Sequence, residues 1–378
     1  MRASLPFTGS NWSYRPVLPL ALAIAATIIY CQPARAETSS WVQRDEGAVK
    51  KPSAAQRKTV AAKPEGAPAG PGVSAHTKAP PAFEKRKGPA TKTAPPPDKD
   101  DAYLAFDQGR YLTALSLAQK LAEGGDPAAH SLIARIHSEG LGVAKNDGLA
   151  AQWYKRAAEL GDINGMFAYG VILAEGRGVV QDRVGAGQMF ERAARTGHAA
   201  ANYNLGLLFL KGDGKPENPY RAAQHIRYAA EKGIAAAQYD LATLHQQGVG
   251  VPHDAVETSR WLKAAAEQGM AAAEYDYAVL LLKGLGLTAD EPKAIELLKS
   301  AAEKNIAGAQ NRLAHVLLEG VGVEKNPVEA AKWRLIAKAG GISEDKVLDA
   351  HVANLRKPDR QKAEQDAVAW RDRKLLPF

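Results

Sequence analysis

Six glycine pairs, Gly140/Gly142, Gly176/Gly178, Gly212/Gly214, Gly248/Gly250, Gly284/Gly286 and Gly320/Gly322, are the first residues whose type and spacing suggest chemistry. Glycine-rich loops cradle phosphates, but a phosphate loop also needs a preceding strand and a lysine that reaches the ligand. Neither accompanies these pairs, and their fixed 36-residue spacing marks architectural turns. The nine histidines give no short metal-ligand spacing. His245 and His253 bracket one turn with no cysteine near and no HExxH, so no metal site is expected. His137 and His245 hold an apolar register position and read as packed side chains. No Gly-x-Ser-x-Gly or Ser-x-x-Lys nucleophile stands out in the array. The chain is therefore read as non-catalytic, without cofactor or metal.

What the spacing does specify is a stacked array. In the unit Gly125–Leu160, Asp126-Pro127 opens a helix, since proline suits a first turn. Ala129, Ile133, Ala134 and His137 share one helical face. Gly140 and Gly142 tolerate the left-handed turn that ends it. Asn146, Asp182, Asn218, Asp254, Asp290 and Asn326 then stand where a second helix needs its N-cap. That helix repeats an alanine at Ala157, Ala193, Ala229, Ala265, Ala301 and Ala337, with large residues such as Trp153, Trp261 and Trp333 in another layer. Gly161, Gly197, Gly233 and Gly269 end it, with Asn305 as the substitute in the fifth copy. The predicted fold is all-α, an α-solenoid of six helix-turn-helix units over residues 125–340.

Ala237-Gln-Tyr-Asp-Leu-Ala242, Gly248-Val-Gly-Val251 and Trp261-Leu-Lys-Ala-Ala265 resemble a Sel1-like repeat, as does Ala201-Asn-Tyr-Asn-Leu-Gly206 with Gly212-Asp-Gly214. The resemblance implies tetratricopeptide-like hairpins that serve as adaptors and scaffolds in signalling and envelope processes. The chain departs from it at His137, Leu173, Phe209, His245, Leu281 and Leu317, where tyrosine is usual before the glycine turn. Cysteine-rich secreted members of the family are linked to β-lactam binding. This chain has a single cysteine, Cys31, and lacks their paired cysteines.

By analogy with tetratricopeptide hairpins, the first helix of each unit lines the inner face. One register position there reads Ser131, Phe167, Tyr203, Tyr239, Tyr275 and Asn311; the position four residues on reads Arg135, Val171, Leu207, Thr243, Val279 and His315. Aromatic residues flanked by aliphatic ones suit a groove for a peptide or helix. Phe167, Tyr203, Leu207, Tyr239, Tyr275 and Val279 are the candidate partner-binding residues. The alternative is that these tyrosines are consensus residues packed between helices.

Residues 101–378 carry 34 basic and 34 acidic residues, so the excess charge of the chain lies before them. A nucleic-acid-binding domain places its basic patch on the folded part, which excludes that partner class here. Residues 1–36 read as a signal peptide: Arg2 and Arg15, an apolar Val17–Tyr30 stretch, then Ala34-Arg35-Ala36. An uncleaved inner-membrane anchor is the alternative, and the expected location is periplasmic. Residues 37–100, with ten prolines, read as a basic disordered linker that can weakly touch an anionic membrane or the cell wall. Residues 101–124 read as a half-repeat N-terminal cap, with Ala114 and Leu117 in the second-helix register. Residues 341–378 read as a C-terminal cap, with helices started by Ser343 and Asp359. The predicted function is a protein- or peptide-binding adaptor of the envelope. A cell-wall-active or β-lactam-type hydrolase, and a structural spacer tethered by the tail, are the alternatives.

Overall fold

The computed structural model describes residues 99–342 and 344–375. Residues 1–36 and nearly all of 37–100 lie outside them, so the signal segment and linker have no structural account here. All regular structure among the described residues is helical. A short pair, α1 (Lys99–Asp107) and α2 (Tyr111–Glu123), leads into twelve helices of 13 residues each. These are α3 (Pro127–Glu139), α4 (Asp147–Glu159), α5 (Ile163–Glu175), α6 (Arg183–Arg195), α7 (Ala199–Lys211) and α8 (Pro219–Glu231). The run continues as α9 (Ala235–Gln247), α10 (Ala255–Glu267), α11 (Ala271–Lys283), α12 (Glu291–Glu303), α13 (Ala307–Glu319) and α14 (Pro327–Ala339). Two closing helices follow, α15 (Lys346–Asn354) and α16 (Lys357–Leu375). Contacts run mainly between helices adjacent in sequence, which is the solenoid arrangement. No helix among the described residues is long and apolar enough to cross a membrane.

The cap chemistry explains the uniform helix length. Each of the six Asn/Asp positions accepts a backbone N–H in the first turn of its second helix, Asn146 from Leu149 at 2.9 Å, for example. The first helices end on left-handed glycines, and the second helices are followed by one. Asn305, at φ +66°, is the single non-glycine residue with positive φ among those described. It stands where the other copies carry glycine, and Asn tolerates that region better than other L-residues.

Stacking is continued by a clamp that the sequence reading does not contain. Asn202, Gln238 and Gln310, in one register, donate to the carbonyls of Ala194, Ala230 and Ala302 at 3.3, 3.1 and 3.1 Å. Each thus adds a second hydrogen bond to a C-terminal carbonyl of the preceding helix, which already accepts the backbone N–H three residues on. Glu274 takes this position in the fifth copy, where it cannot donate; it accepts from Lys304 and Ser300 instead.

The ends differ in detail from the sequence reading. The half-repeat over residues 101–124 is a shortened hairpin, because Gly109 at φ +73° turns the chain between α1 and α2. Ala114, Leu115 and Ala118 supply its buried face, while Leu117 is only half-buried. At the other end Ser343 lies outside the described residues, and Asp345 caps α15 through the Leu348 N–H. Helix α16 starts before Asp359, with Pro358 in its first turn and Asp359 accepting from Arg356. Ala363, Ala367 and Trp370 bury one side of α16 while most of its other residues are exposed. Trp370 meets Trp333 edge to face and donates its indole N–H to Glu303. Helix α16 is thus packed onto the end of the array.

Candidate functional site

The face carried by the first helices holds the aromatic ladder, and every rung reaches forward into the next unit. Ser131 donates to Asp162 at 2.6 Å, and the Phe167 ring packs on His198 at a tilt of 31°, with ring centroids 4.8 Å apart. Asp162 and His198 are the N-caps of α5 and α7. Tyr203 donates to Asp240 at 2.9 Å and Tyr239 to Asp276 at 2.8 Å, each 37 residues ahead. Tyr275 accepts from Arg312, the residue 37 ahead of it, and Asn311 donates to Asp345 at 2.9 Å. The ladder is a set of ties between adjacent first helices.

This has a direct consequence for the candidate residues. Phe167, Tyr203, Leu207 and Val279 are buried, with 8, 4, 3 and 7 % of their surface exposed. Tyr239 and Tyr275 are half-buried, together with Asp240, Asp276 and Arg312 beside them. The accessible part of the face therefore narrows to a central stretch where tyrosine rings lie next to carboxylates. The adjacent position fills in around it: Val171 is buried, Thr243 bonds the Tyr239 carbonyl, and Arg135 is buried against Phe106 and paired with Glu139.

Asp240 and Asp276 are the residues the ladder reading missed. The Tyr239-Asp240 and Tyr275-Asp276 dipeptides were the available signal, since a period of 36 places each aspartate one residue past the next tyrosine's register. Burial raises both carboxyls to about 6, opposed by the hydroxyl hydrogen bond each accepts. Burial also raises Asp162, against its hydrogen bonds from Ser131 and the Gly165 N–H. His198 is pushed down to about 4 by burial.

The sign of the resulting pH effect follows. A carboxyl near 6 in the folded state and near ~3.9 in the unfolded chain binds protons more readily when folded between those values. Its contribution to stability grows as pH falls from 7 towards 4. Buried His198 acts oppositely in that window, so the acids are read by difference. Thermal melts should show the parent gaining stability relative to the Asp240→Asn/Asp276→Asn variant as pH falls from 7 to 5. Parallel profiles would mean the carboxyls titrate normally.

Among the described residues no cluster of three His, Cys, Asp or Glu side chains is placed to hold a metal ion. His245 is packed, its ring nitrogens near the Pro252 carbonyl and Arg227. The glycine pairs hold left-handed turns, and the second glycine of the second to fifth pairs (Gly178, Gly214, Gly250 and Gly286) abuts backbone of the preceding unit.

The Sel1 repeat profile matches six consecutive segments, 127–162, 163–198, 199–234, 235–270, 271–306 and 307–341. A solved Sel1 repeat protein from Oxalobacter formigenes is similar at 31% identity and TM-score 0.56, over 64% of this chain and 98% of that one. A protective antigen of uropathogenic Escherichia coli with an SLR fold matches at 25% identity and TM-score 0.49, over 73% and 74% of the two chains. An immunity protein of Pseudomonas aeruginosa matches at 18% identity and TM-score 0.37, over 55% and 83%. No curated protein matches the chain. Sel1 repeats generally mediate protein–protein interaction and are generally non-catalytic scaffolds. With six in-register copies spanning more than half its length, the chain belongs to the Sel1 repeat family.

Proposed function

We propose that this protein is an exported adaptor of the cell envelope that binds a protein or peptide partner along the face formed by its first helices. The observation that carries this reading is the half-open stretch around Tyr239 and Tyr275, flanked by Asp240 and Asp276. Tyrosine rings give contact area at small entropic loss, and the carboxylates favour partners that present N–H groups or cations. The small-x-small site at Ala34–Ala36 supports export, and the basic stretch over residues 37–100 supports weak attraction to anionic membrane or cell wall.

The burial pattern sets the test. Tyr203 is a packing residue, so the informative changes are Tyr239→Ala and Tyr275→Ala. A photo-crosslinker at Thr243, one turn after Tyr239 on α9, is expected to capture a discrete envelope protein. Each alanine variant, still helical by circular dichroism, should lower that yield about tenfold, as for interface hot spots. Undiminished capture by the folded double variant would move the binding surface elsewhere. Fractionation should place the protein in the periplasm, shortened by the first 36 residues.

A further inference from the structure

We propose that the seam between α6 and α8 is a second binding site, built to take a flat aromatic group that carries or adjoins a carboxylate. A cleft of about 340 Å³ opens there, lined by Leu205, Phe209, Arg195, Arg221, Gln224 and His225. Its volume lies near the lower end of small-ligand sites, ~300–1,000 Å³. It is also separate from the tyrosine ladder, none of whose residues line it.

The register shows why the cleft is there. Position 225 is held by Trp153, Trp261 and Trp333 in the first, fourth and sixth copies. In two of these the indole has a carboxylate four residues earlier. Trp261 donates to Glu257 at 3.0 Å, and Trp333 to Glu329 at 3.4 Å. The third copy inverts both halves of that pair. His225 replaces the indole, and Arg221 replaces the glutamate. Ring volume is lost and the charge is reversed, so an incoming aromatic acid supplies what the sister seams hold internally.

The remaining geometry fits this ligand. The His225 and Phe209 rings lie parallel within 7°, with centroids 5.8 Å apart, and Arg221 sits 5.8 Å over the Phe209 ring. Phe209 is buried, and the half-buried His225 ring and exposed Arg221 guanidinium offer the stacking surface. Burial first, then the Arg221 charge, hold His225 below its usual value, so the imidazole is neutral near pH 7. Its Nδ1 lies 2.9 Å from the side-chain oxygen Oδ1 of Asn202, which makes Nδ1 the donor. Glu191, the acidic wall, already accepts from Lys215 at 2.6 Å and Arg195 at 3.0 Å. Among the described residues no carboxylate pairs with Arg221, so the site keeps a net positive charge.

Two sources share this chemistry, a partner's tryptophan beside an acidic residue and a free aromatic acid. Titration calorimetry of the full chain with acetyl-Glu-Trp-Glu-amide and with indole-3-acetate separates them. At least one probe is expected to bind saturably, and indole-3-ethanol, which lacks the carboxylate, at least about tenfold more weakly. Binding by the peptide alone assigns the site to a partner side chain; binding by the acid assigns it to a small molecule. Arg221→Ala, an exposed change, should weaken the bound probe about tenfold. His225→Trp, which restores the sister residue, should abolish binding. Saturable binding by neither probe overturns the proposal, as does binding that Arg221→Ala leaves unchanged.

Discussion

Replacing Gly250 with alanine is expected to divide the array into two independently melting blocks. At φ +69° any L-residue is strained, which costs about 1–3 kcal/mol. A Cβ there would also lie 2.1 Å from the Pro219 carbonyl oxygen and 2.4 Å from its carbon, both backbone atoms of α8 in the preceding unit. A clash with backbone is relieved only by separating the units, and overpacking adds roughly 1–3 kcal/mol. Gly248 is the internal control. It has the same φ of +69°, but the nearest atom to its Cβ is the His253 nitrogen at 3.5 Å, an ordinary contact. Gly248→Ala should therefore show the strain alone and a single shifted transition. Gly286, whose Cβ would meet the Ala255 carbonyl oxygen at 2.1 Å, should behave like Gly250. Because repeat arrays are held by nearest-neighbour interfaces, weakening the middle one leaves about three units on either side, enough to fold. Urea unfolding followed by circular dichroism should become biphasic in Gly250→Ala and stay single in Gly248→Ala. A single transition in both variants would mean that the turn does not hold the seam.

The contrast within each glycine pair marks what the sequence could and could not convey. Left-handed turns and N-caps are local: the need for Gly at 140, Asn at 305 or Asp at 254 is set by the residue's own backbone and the next three N–H groups. These were legible from spacing alone. The use of the second glycine is not local, since it depends on where the first carbonyl of the preceding unit's second helix lies. The ladder divides the same way. Its register was readable, but whether Tyr203 faces solvent depends on Asp240 across a seam, and the seam closes over it. Tyr239 and Tyr275 stay half-open although tied to Asp276 and Arg312, so the candidate face survives only over its centre. The inverted pair at Arg221 and His225 was in plain view as a break in the tryptophan register. Its meaning required knowing that two of the tryptophans at that position, Trp261 and Trp333, bond a glutamate one turn earlier. At the C-terminus the departure was smaller: Asp359 sits one turn too late to cap, because Pro358 already occupies the first turn of α16.

Arg334→Ala is expected to release the C-terminal cap from an otherwise folded array. The guanidinium is fully buried and makes four hydrogen bonds. Two go to the Asp349 carboxylate at 2.8 Å each, one to Asn311 at 2.9 Å and one to the Ile342 carbonyl at 3.2 Å. Asn311 and His315 in turn donate to Asp345, the N-cap of α15, at 2.9 and 2.7 Å. The network joins α13, α14 and α15 and is the last rung of the ladder, where no further repeat supplies a partner. Deleting the arginine removes a donor from all three acceptors and leaves a cavity; Asp349 is partly exposed and keeps the Asp345 N–H, so the loss is about 1–3 kcal/mol. Lysine cannot reproduce the two-pronged contact, so Arg334→Lys should recover only part of it. The loss should be confined in space. Amide exchange should accelerate across α15, which Asp349 and Asp345 anchor, while α3 to α9 keep their protection. The pH dependence gives an independent reading. Burial alone would raise Asp345, but hydrogen bonds from Asn311, the Leu348 N–H and His315 bring it to about 2. The Arg334 hydrogen bond is the main cause holding Asp349 below the usual carboxylate range. Stability from depressed carboxyls is complete above the unfolded value near ~3.9 and is lost as pH falls through the folded one. The parent should therefore lose cap protection between pH 4 and about 2, and Arg334→Ala should show a shallower acid limb because Asp349 has returned towards its ordinary value. Uniform exchange along the whole chain in the variant would instead show that the cap and the array unfold as one unit, and that the solenoid's end is no weaker than its middle.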